Sequence, residues 1–246
     1  MALSDFRQAP IWYLVSRTRL LAQIVGLVMT APRRNRARYS WRELIDYVFG
    51  FGDGFLQPLQ VRTELQQALR EIERIRPRFV LEIGTAMGGT FFLLARAAAE
   101  DALLLSLDLP GGRWGGGYST WKTWVYRRFL LPRQRAGFVR SDSHDLASLE
   151  RVRALLNGSQ LDLLFIDGDH SYAGVKADFN LYAGLVRPGG LIVLHDIARH
   201  AQTSDCHVDA FWAEIRHRFP SEEIIADRAQ GWAGIGILHN SAGRLQ

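Results

Sequence analysis

The sequence predicts an α/β fold built on a seven-stranded, mostly parallel sheet with helices on both faces. Short apolar segments alternate with helical segments along residues 79–238, and this alternation is typical of parallel strands covered on both sides. The last two apolar segments have no long helix between them, so they predict a terminal antiparallel hairpin. Polar or glycine residues follow five of the strands, at the edge where such sheets bind ligands.

The individual elements are predicted from apolar periodicity and from the turn residues between them. The predicted strands cover residues 79–83, 103–107, 138–140, 161–166, 191–194, 223–226 and 233–238. The predicted helices cover residues 90–99, 148–156, 172–186 and 208–218. The segment 187–190, Arg-Pro-Gly-Gly, is expected to close the third of these helices, because proline and glycine end helices.

A helical arm, residues 1–55, is predicted to precede the α/β domain, residues 56–246. Its apolar part, residues 20–31, is too short for a membrane span, which takes about 20 residues. One interpretation is a helix that packs on the domain or on another subunit of a homo-oligomer. The other is an interfacial helix in peripheral contact with anionic lipid through the arginines that follow it. These are Arg33, Arg34, Arg36 and Arg38.

The net charge of +5 is unevenly distributed along the chain. Residues 1–42 carry +7, residues 110–140 carry +7 and the remainder carries −9, so the total does not describe a uniformly basic protein. The sequence contains no zinc finger or other nucleic-acid module, which disfavours nucleic acid as a partner. Cys206 is the single cysteine and cannot form an internal disulfide, so we expect a reducing, cytoplasmic location.

An insertion at residues 110–135 begins with a glycine cluster and continues with aromatic and basic residues. One interpretation is a mobile lid whose aromatic side chains, from Trp114 to Tyr126, cover a bound ligand. Its arginines would then pair with an acidic acceptor molecule. The alternative is an amphipathic helix that buries its aromatic side chains and exposes its arginines.

A glycine-containing turn joins the first predicted strand to the following helix. Residues 82–90 read E-I-G-T-A-M-G-G-T. Glycine lets the backbone approach a ligand, and the helix N-terminus offers free N–H groups to it. The dinucleotide pattern G-x-G-x-x-G is excluded because position 86 is alanine, and no G-K-[ST] follows as in a P-loop. Asp108 lies at the end of the next strand, where a carboxylate can accept the ribose hydroxyls of a nucleoside.

The pattern E-x-G-x-x-x-G-G-T followed by Asp108 resembles the first motifs of class I S-adenosylmethionine-dependent methyltransferases, in the variant of the catechol O-methyltransferases. The resemblance implies a Rossmann-like fold and S-adenosyl-L-methionine as cofactor. Family position further suggests that Asp142 contacts the adenine amino group, although Asp142, or with a better position Ser143, could instead cap the next helix. The predicted cofactor-binding residues are Glu82, Gly84, Thr85, Gly88, Thr90, Asp108 and Asp142.

The segment 165–178, F-I-D-G-D-H-S-Y-A-G-V-K-A-D, and the segment 185–196, L-V-R-P-G-G-L-I-V-L-H-D, resemble one methyltransferase family in particular. This is the cephalosporin hydroxylase and macrolide-sugar O-methyltransferase family, and the likeness covers residues 57–196. It implies that Asp167 and Asp196 are ligands of a divalent cation and that His170 is the catalytic base. The alternative for His170 is a histidine that holds the turn.

The chemistry of this assignment is coherent. A hydroxyl is a poor nucleophile at neutral pH, and a bound cation lowers its pKa while a nearby base takes the proton. Magnesium prefers carboxylate oxygens. The sequence departs from the family at His195, which stands beside the second aspartate and is either a third ligand or a hydrogen-bonding residue at the strand end. As a ligand, imidazole suits manganese, iron or zinc better than magnesium.

The sequence therefore predicts a metal-assisted O-methyltransferase that acts on a hydroxyl of a small molecule, such as a sugar, an acidic metabolite or another secondary metabolite. Two alternatives stay open: a metal-independent methyltransferase, and a non-catalytic accessory protein that retains the cofactor cleft. An NAD-dependent oxidoreductase or a hydroxylase on the same sheet is disfavoured by the glycine spacing and by the lack of a convincing facial triad.

Overall fold

The computed structural model describes residues 22–31, 34–52, 54–111, 117–201 and 204–241. Their strands form one seven-stranded sheet. The strands are β1 (Phe79–Ile83), β2 (Leu103–Asp108), β3 (Arg135–Arg140), β4 (Leu161–Ile166), β5 (Val186–His195), β6 (Ser221–Ile224) and β7 (Ile235–His239).

Helices cover both faces of this sheet. The labelled helices are α1 (Trp41–Gly50), α2 (Arg62–Ile75), α3 (Gly89–Ala97), α4 (Thr120–Arg127), α5 (Leu146–Leu156), α6 (Tyr172–Tyr182) and α7 (Val208–Ile215). Residues 22–30 are helical as well. Single 3₁₀ turns, Ala183–Leu185 and Arg216–Arg218, extend α6 and α7.

The strand order is β3-β2-β1-β4-β5-β7-β6, with β1 to β5 parallel and β7 antiparallel to both of its neighbours. From β1 the strands β2 and β3 extend the sheet to one side, and from β4 the later strands extend it to the other. Ligands bind in open α/β sheets at such a switch point, which lies here between β1 and β4. Ile83 pairs with Leu107 on one side and with Ile166 on the other. The three strands therefore end level, and the residues after them meet at one edge. The predicted fold class is confirmed.

Strands β1 and β4 begin and end at the predicted residues, but the prediction was wrong around residue 186. The predicted helix 172–186 ends at Tyr182, and β5 already begins at Val186 and includes the Pro-Gly-Gly segment. Asn240 explains the difference, because its side chain donates to the carbonyls of Val186 and Arg187. Its backbone also pairs with Gly189 and Gly190. This contact comes from the far end of the chain, so no local signal predicts it.

The described part of the N-terminal arm packs on the α/β domain. Leu27, Leu44 and Val48 are buried in the same apolar cluster as Phe92 and Leu104. This packing supports the first interpretation of the arm for residues 22–31, while the boundary at residue 55 stays a prediction. Among the described residues, no helix has the length and apolar character that crossing a membrane requires.

The arginines that follow the first helix are partly used in contacts within the chain. The guanidinium of Arg34 lies 4.1 Å from the ring centre of Tyr47, and Arg36 pairs with Glu73 at 2.8 Å. Arg33 lies outside the described residues. Two of the four arginines expected to meet lipid are therefore engaged within the chain.

One buried arginine fastens the arm to the domain. Arg96, at the end of α3, is 3% exposed and donates to the backbone carbonyls of Ala31, Arg34 and Phe129. Burial lowers the pKa of this guanidinium to about 9. The interaction is thus a set of hydrogen bonds that satisfies three carbonyls of two segments outside the sheet.

Replacement of Arg96 by methionine should destabilise the protein by roughly 3 kcal/mol, because three carbonyls would lose their buried donor. Urea denaturation measures the change. The matched control is Arg74→Met, which removes an exposed arginine that pairs only with Glu71 among the described contacts; it should cost less than about 0.5 kcal/mol. Equal losses in the two variants would contradict the fastening role of Arg96.

Candidate active site

A cavity of about 420 Å³ opens beyond the carboxyl ends of β1, β2 and β4. Its lining includes Gly84, Asp108, Asp142, Asp167 and His170. These residues come from four separate segments of the chain and meet at the predicted edge of the sheet. The cavity has the size of a small-molecule site.

The first glycine of the turn allows two strand ends to approach each other. Gly84 has φ +88°, and a Cβ at this position would lie 1.9 Å from the carbonyl oxygen of Asp167. The amide of Asp167 donates to the carbonyl of Ile83 at 2.9 Å. The close contact between the ends of β1 and β4 therefore requires glycine here, whether or not a ligand also does.

The second glycine of the turn packs against the insertion. Gly88 has φ +84° and precedes α3, and a Cβ there would lie 2.6 Å from the ring of Tyr126. The hydroxyl of Tyr126 donates to the carbonyl of Ala86 at 2.8 Å. Tyr126 of α4 thus packs against the turn and helps to fix its shape.

A chain of buried hydrogen bonds runs behind the turn. The hydroxyl of Thr85 donates to the Glu82 carboxylate at 2.6 Å and lies 2.7 Å from that of Ser106. Ser106 lies 2.7 Å from the hydroxyl of Tyr118. Burial raises the pKa of Glu82 well above its usual range, and its Oε1 has no partner among the described residues.

The predicted cofactor-binding residues separate into two groups. Gly84, Asp108 and Asp142 line the cavity. The other four are buried and are not part of the lining, so they support its wall. These four are Glu82, Thr85, Gly88 and Thr90.

Asp108 lies at the end of β2 with both carboxylate oxygens oriented by the backbone. Oδ2 accepts the amide of Ala86 at 2.7 Å, and Oδ1 accepts the amide of Gly117 at 2.9 Å. Burial raises the pKa of this carboxyl, while the backbone hydrogen bonds oppose the shift. Asp108 also lines the cavity, where its carboxylate can accept a donor such as a ribose hydroxyl.

Asp142 does not cap the helix after β3. The amide of His144 donates to its Oδ1 at 2.9 Å, and α5 begins only at Leu146, with Asp145 at the capping position. The capping alternative for Asp142 and Ser143 is therefore wrong. The tight turn leaves Asp142 on the cavity wall.

The three predicted metal ligands lie together at the ends of β4 and β5. Nδ1 of His195 lies 3.0 Å from Oδ1 of Asp167 and 3.5 Å from Oδ1 of Asp196. One ligand atom of each residue lies within 4.8 Å of the others. Nε2 of His195 is buried and has no partner among the described residues. One carboxylate pair and one imidazole can therefore share a single cation.

His170 lies between the same two carboxylates. Its Nδ1 is 2.8 Å from Oδ2 of Asp196, and its Nε2 is 3.4 Å from Oδ1 of Asp167. Burial would lower the pKa of His170, but hydrogen bonds with both aspartates raise it to about 12. The charges of the same aspartates likewise overcome burial and raise the pKa of His195 to about 10. With both imidazoles protonated, their positive charges compensate the two aspartates. A bound cation would take over this role.

Three further residues of this cluster were not predicted from the sequence. Nε2 of Gln60 donates to Oδ2 of Asp167 at 2.9 Å, and Nε2 of His200 lies 3.5 Å from Oδ1 of Asp196. The sulfur of Cys206 lies within 4.8 Å of a ring nitrogen of His170. The spacing of His200 four residues after Asp196 was a weak local signal. Gln60 precedes Asp167 by 107 residues, so nothing local could have indicated it.

The insertion combines features of both interpretations. Tyr118, Tyr126 and Phe129 are buried, as expected of an amphipathic helix, whereas Trp121 and Trp124 are exposed on α4. Trp114 lies outside the described residues. The lid therefore stays a prediction, and the exposed tryptophans are its available aromatic surfaces.

The contact between β1 and β4 can be tested at Gly84. Gly84→Ala should cost more than about 4 kcal/mol of unfolding free energy, because the new methyl group meets a backbone carbonyl that cannot move away. Gly158→Ala is the control, since Gly158 has a similar φ of +81° but nothing within 4 Å of an added Cβ. Its cost should be about 1 kcal/mol. Similar losses in urea denaturation would show that φ, rather than the strand contact, requires glycine.

Comparison with known proteins gives a family match over the site. Residues 81–197 match the family described as "Methyltransferase domain". An uncharacterized protein of Acanthamoeba polyphaga mimivirus is 47% identical over 116 residues, 47% of this chain and 50% of that protein. An uncharacterized protein of Sinorhizobium fredii is 27% identical over 153 residues, 61% of this chain and 16% of that protein. The chain thus spans half or less of these curated relatives.

Solved structures share the fold at low sequence identity. An O-methyltransferase from Bacillus cereus, in complex with SAH, has a TM-score of 0.56 and 20% identity and covers 79% of this chain and 89% of its own. TomG from Streptomyces achromogenes, in complex with SAM, has a TM-score of 0.58 and 15% identity, with coverages of 90% and 96%. MycE, in complex with Mg, SAH and mycinamycin VI, has a TM-score of 0.52 and 18% identity, with coverages of 82% and 55%.

The family match covers the glycine turn, Asp108 and both aspartates of the cluster. The fold of the surrounding sheet is that of the methyltransferase structures. Residues 81–197 thus match a methyltransferase domain, and the sheet that contains them has the Rossmann-like fold of the class I methyltransferases.

Proposed function

We propose that the chain is an O-methyltransferase that uses a divalent cation to activate a hydroxyl of a small acceptor, such as a sugar or another secondary metabolite. The observation that carries the proposal is the position of Asp167, His195 and Asp196, whose ligand atoms lie within 4.8 Å of one another. Asp167 also lines the cavity that contains Gly84 and Asp108. Methyl donor and activated hydroxyl would thus meet at one edge of the sheet.

The cofactor end of the cavity is proposed to hold S-adenosylmethionine through three residues. The Asp108 carboxylate accepts the ribose hydroxyls, and Asp142 contacts the adenine amino group. Gly84, which lines the same cavity, lies beside the methionine part. Two similar structures are complexes with SAH or SAM, which supports this assignment.

The metal end is proposed to hold one cation on Asp167, His195 and Asp196. When bound, the cation lowers the pKa of an acceptor hydroxyl. The carboxylates suit magnesium, and a complex of MycE is described as containing Mg. The imidazole favours manganese, iron or zinc, so the identity of the cation belongs to the test.

His170 is proposed as the base that removes the proton of the acceptor hydroxyl. It lines the cavity, which gives it the access that a base needs. The contact of Nδ1 with Asp196 at 2.8 Å fixes the ring orientation, as a carboxylate does in other catalytic dyads.

A metal-independent methyltransferase is the second candidate, and a specific observation favours it. Both carboxylates are already paired with His170 and His195, so the cluster has compensated charge without a cation. A cytoplasmic location, a homo-oligomer and a domain boundary at residue 55 also stay proposals.

Cofactor binding is tested by calorimetry with S-adenosylmethionine and, separately, NAD. We expect binding of the former only, and Asp108→Asn should weaken it roughly tenfold or more, because the amide loses the charge that accepts ribose hydroxyls. Asp101→Asn is the matched control, since this exposed aspartate pairs with Arg78. Unchanged affinity in Asp108→Asn would remove Asp108 from the cofactor site.

Catalysis is tested by methyl transfer from labelled S-adenosylmethionine to a panel of catechols and glycosides. EDTA should abolish turnover, and added Mg²⁺ or Mn²⁺ should restore it. His170→Ala should lower turnover by roughly 10²–10⁴ while retaining cofactor affinity, whereas the exposed His217→Ala should have no effect. EDTA-resistant turnover would favour the metal-independent candidate, and full activity of His170→Ala would exclude this residue as the base.

A further inference from the structure

A second set of potential metal ligands overlaps the first. His170, Asp196 and Cys206 each offer one ligand atom, and these atoms lie within 4.8 Å of one another. Asp196 belongs to both sets. The two sets therefore share one carboxylate.

The second set is held together by contacts from two segments. The amide of His207 donates to the carbonyl of His170 at 2.8 Å, so the segment that carries Cys206 is fastened to the turn that carries His170. Cys206 is buried, and its sulfur lies within 4.8 Å of a ring nitrogen of His170. Asp196 contacts Nδ1 of His170 with one oxygen and accepts the amide of Ala233 with the other. The donors are thus oriented by the fold before any ion binds.

The two sets differ in chemical softness. Asp167, His195 and Asp196 offer two carboxylates and one imidazole, which magnesium or manganese can use. The second set replaces one carboxylate by a thiolate and thereby favours zinc. Three protein ligands of the types Cys, His and Asp leave the fourth tetrahedral position to water.

We propose that His170, Asp196 and Cys206 form an inhibitory zinc site. On binding, Zn²⁺ takes the Cys206 thiolate, a His170 ring nitrogen and an Asp196 oxygen, and the thiol proton and any proton on that nitrogen pass to water. The ion removes His170 from proton transfer. The inhibition rests on the proposed role of His170, but the zinc site itself does not.

The site is tested without any acceptor molecule by cobalt substitution. After dialysis against a chelator, titration with Co²⁺ should give an intense thiolate-to-cobalt absorption band in the near ultraviolet, and Zn²⁺ should abolish it. His170→Asn should remove or strongly weaken this band. Asp167→Asn, which changes only the first set, should retain it. Far-ultraviolet circular dichroism of each variant checks that the fold persists.

Zinc affinity provides the second measurement. Competition with a chromogenic chelator should give a zinc Kd at least tenfold higher in Cys206→Ser and in His170→Asn than in the unmodified chain. Cys206→Ala serves in place of the serine variant if the latter fails to fold. His217→Gln is the control for binding at exposed histidines, and its Kd should stay within twofold. No cobalt–thiolate band in the unmodified chain, or unchanged zinc affinity in the ligand variants, would overturn the site.

The inhibitory effect is measured separately. In the methyl-transfer test with Mg²⁺, half-inhibition of Cys206→Ser should need at least tenfold more Zn²⁺ than half-inhibition of the unmodified chain. Equal sensitivity would overturn the inhibition while leaving the binding result standing. Absence of any methyl transfer would instead count against the proposed function, and the cobalt band would still decide the zinc site.

Discussion

Charge compensation between carboxylates and imidazoles is the interaction on which this site depends. Asp167 and Asp196 are withdrawn from water, and two such charges close together are costly unless opposite charge lies beside them. His170 and His195 supply it at distances of 2.8 to 3.5 Å. The cluster is therefore stable in shape before a ligand enters, and any cation must compete with protons for the same carboxylate oxygens.

The sheet provides the geometry that this cluster needs. Because Ile83, Leu107 and Ile166 are paired side by side, the residues that follow them are delivered level with one another. Because Gly84 has no side chain, the glycine turn packs directly against the backbone of Asp167. A nucleoside site and a carboxylate–imidazole site can thus adjoin although their residues lie far apart in the sequence.

The elements best predicted from the sequence are those that local patterns of apolar and turn residues determine. Strands β1 and β4 have the predicted bounds because their apolar residues are bounded by turns on both sides. Asp167, His195 and Asp196 could be placed together because parallel strands end at one edge. The sequence could not predict contacts that depend on distant segments. Asn240 pairs with the start of β5, Gln60 binds Asp167, and Cys206 reaches His170.

Asp108 has a consequence for how such a protein can change its specificity. The amide of Gly117 occupies one oxygen of the Asp108 carboxylate, so the backbone of the insertion and the proposed ribose contact depend on the same side chain. A mutation that remodels the insertion to admit a new acceptor also alters the orientation of Asp108. Evolution of acceptor choice is therefore constrained by the need to retain the nucleoside, and changes that keep Gly117 in place are the least costly route.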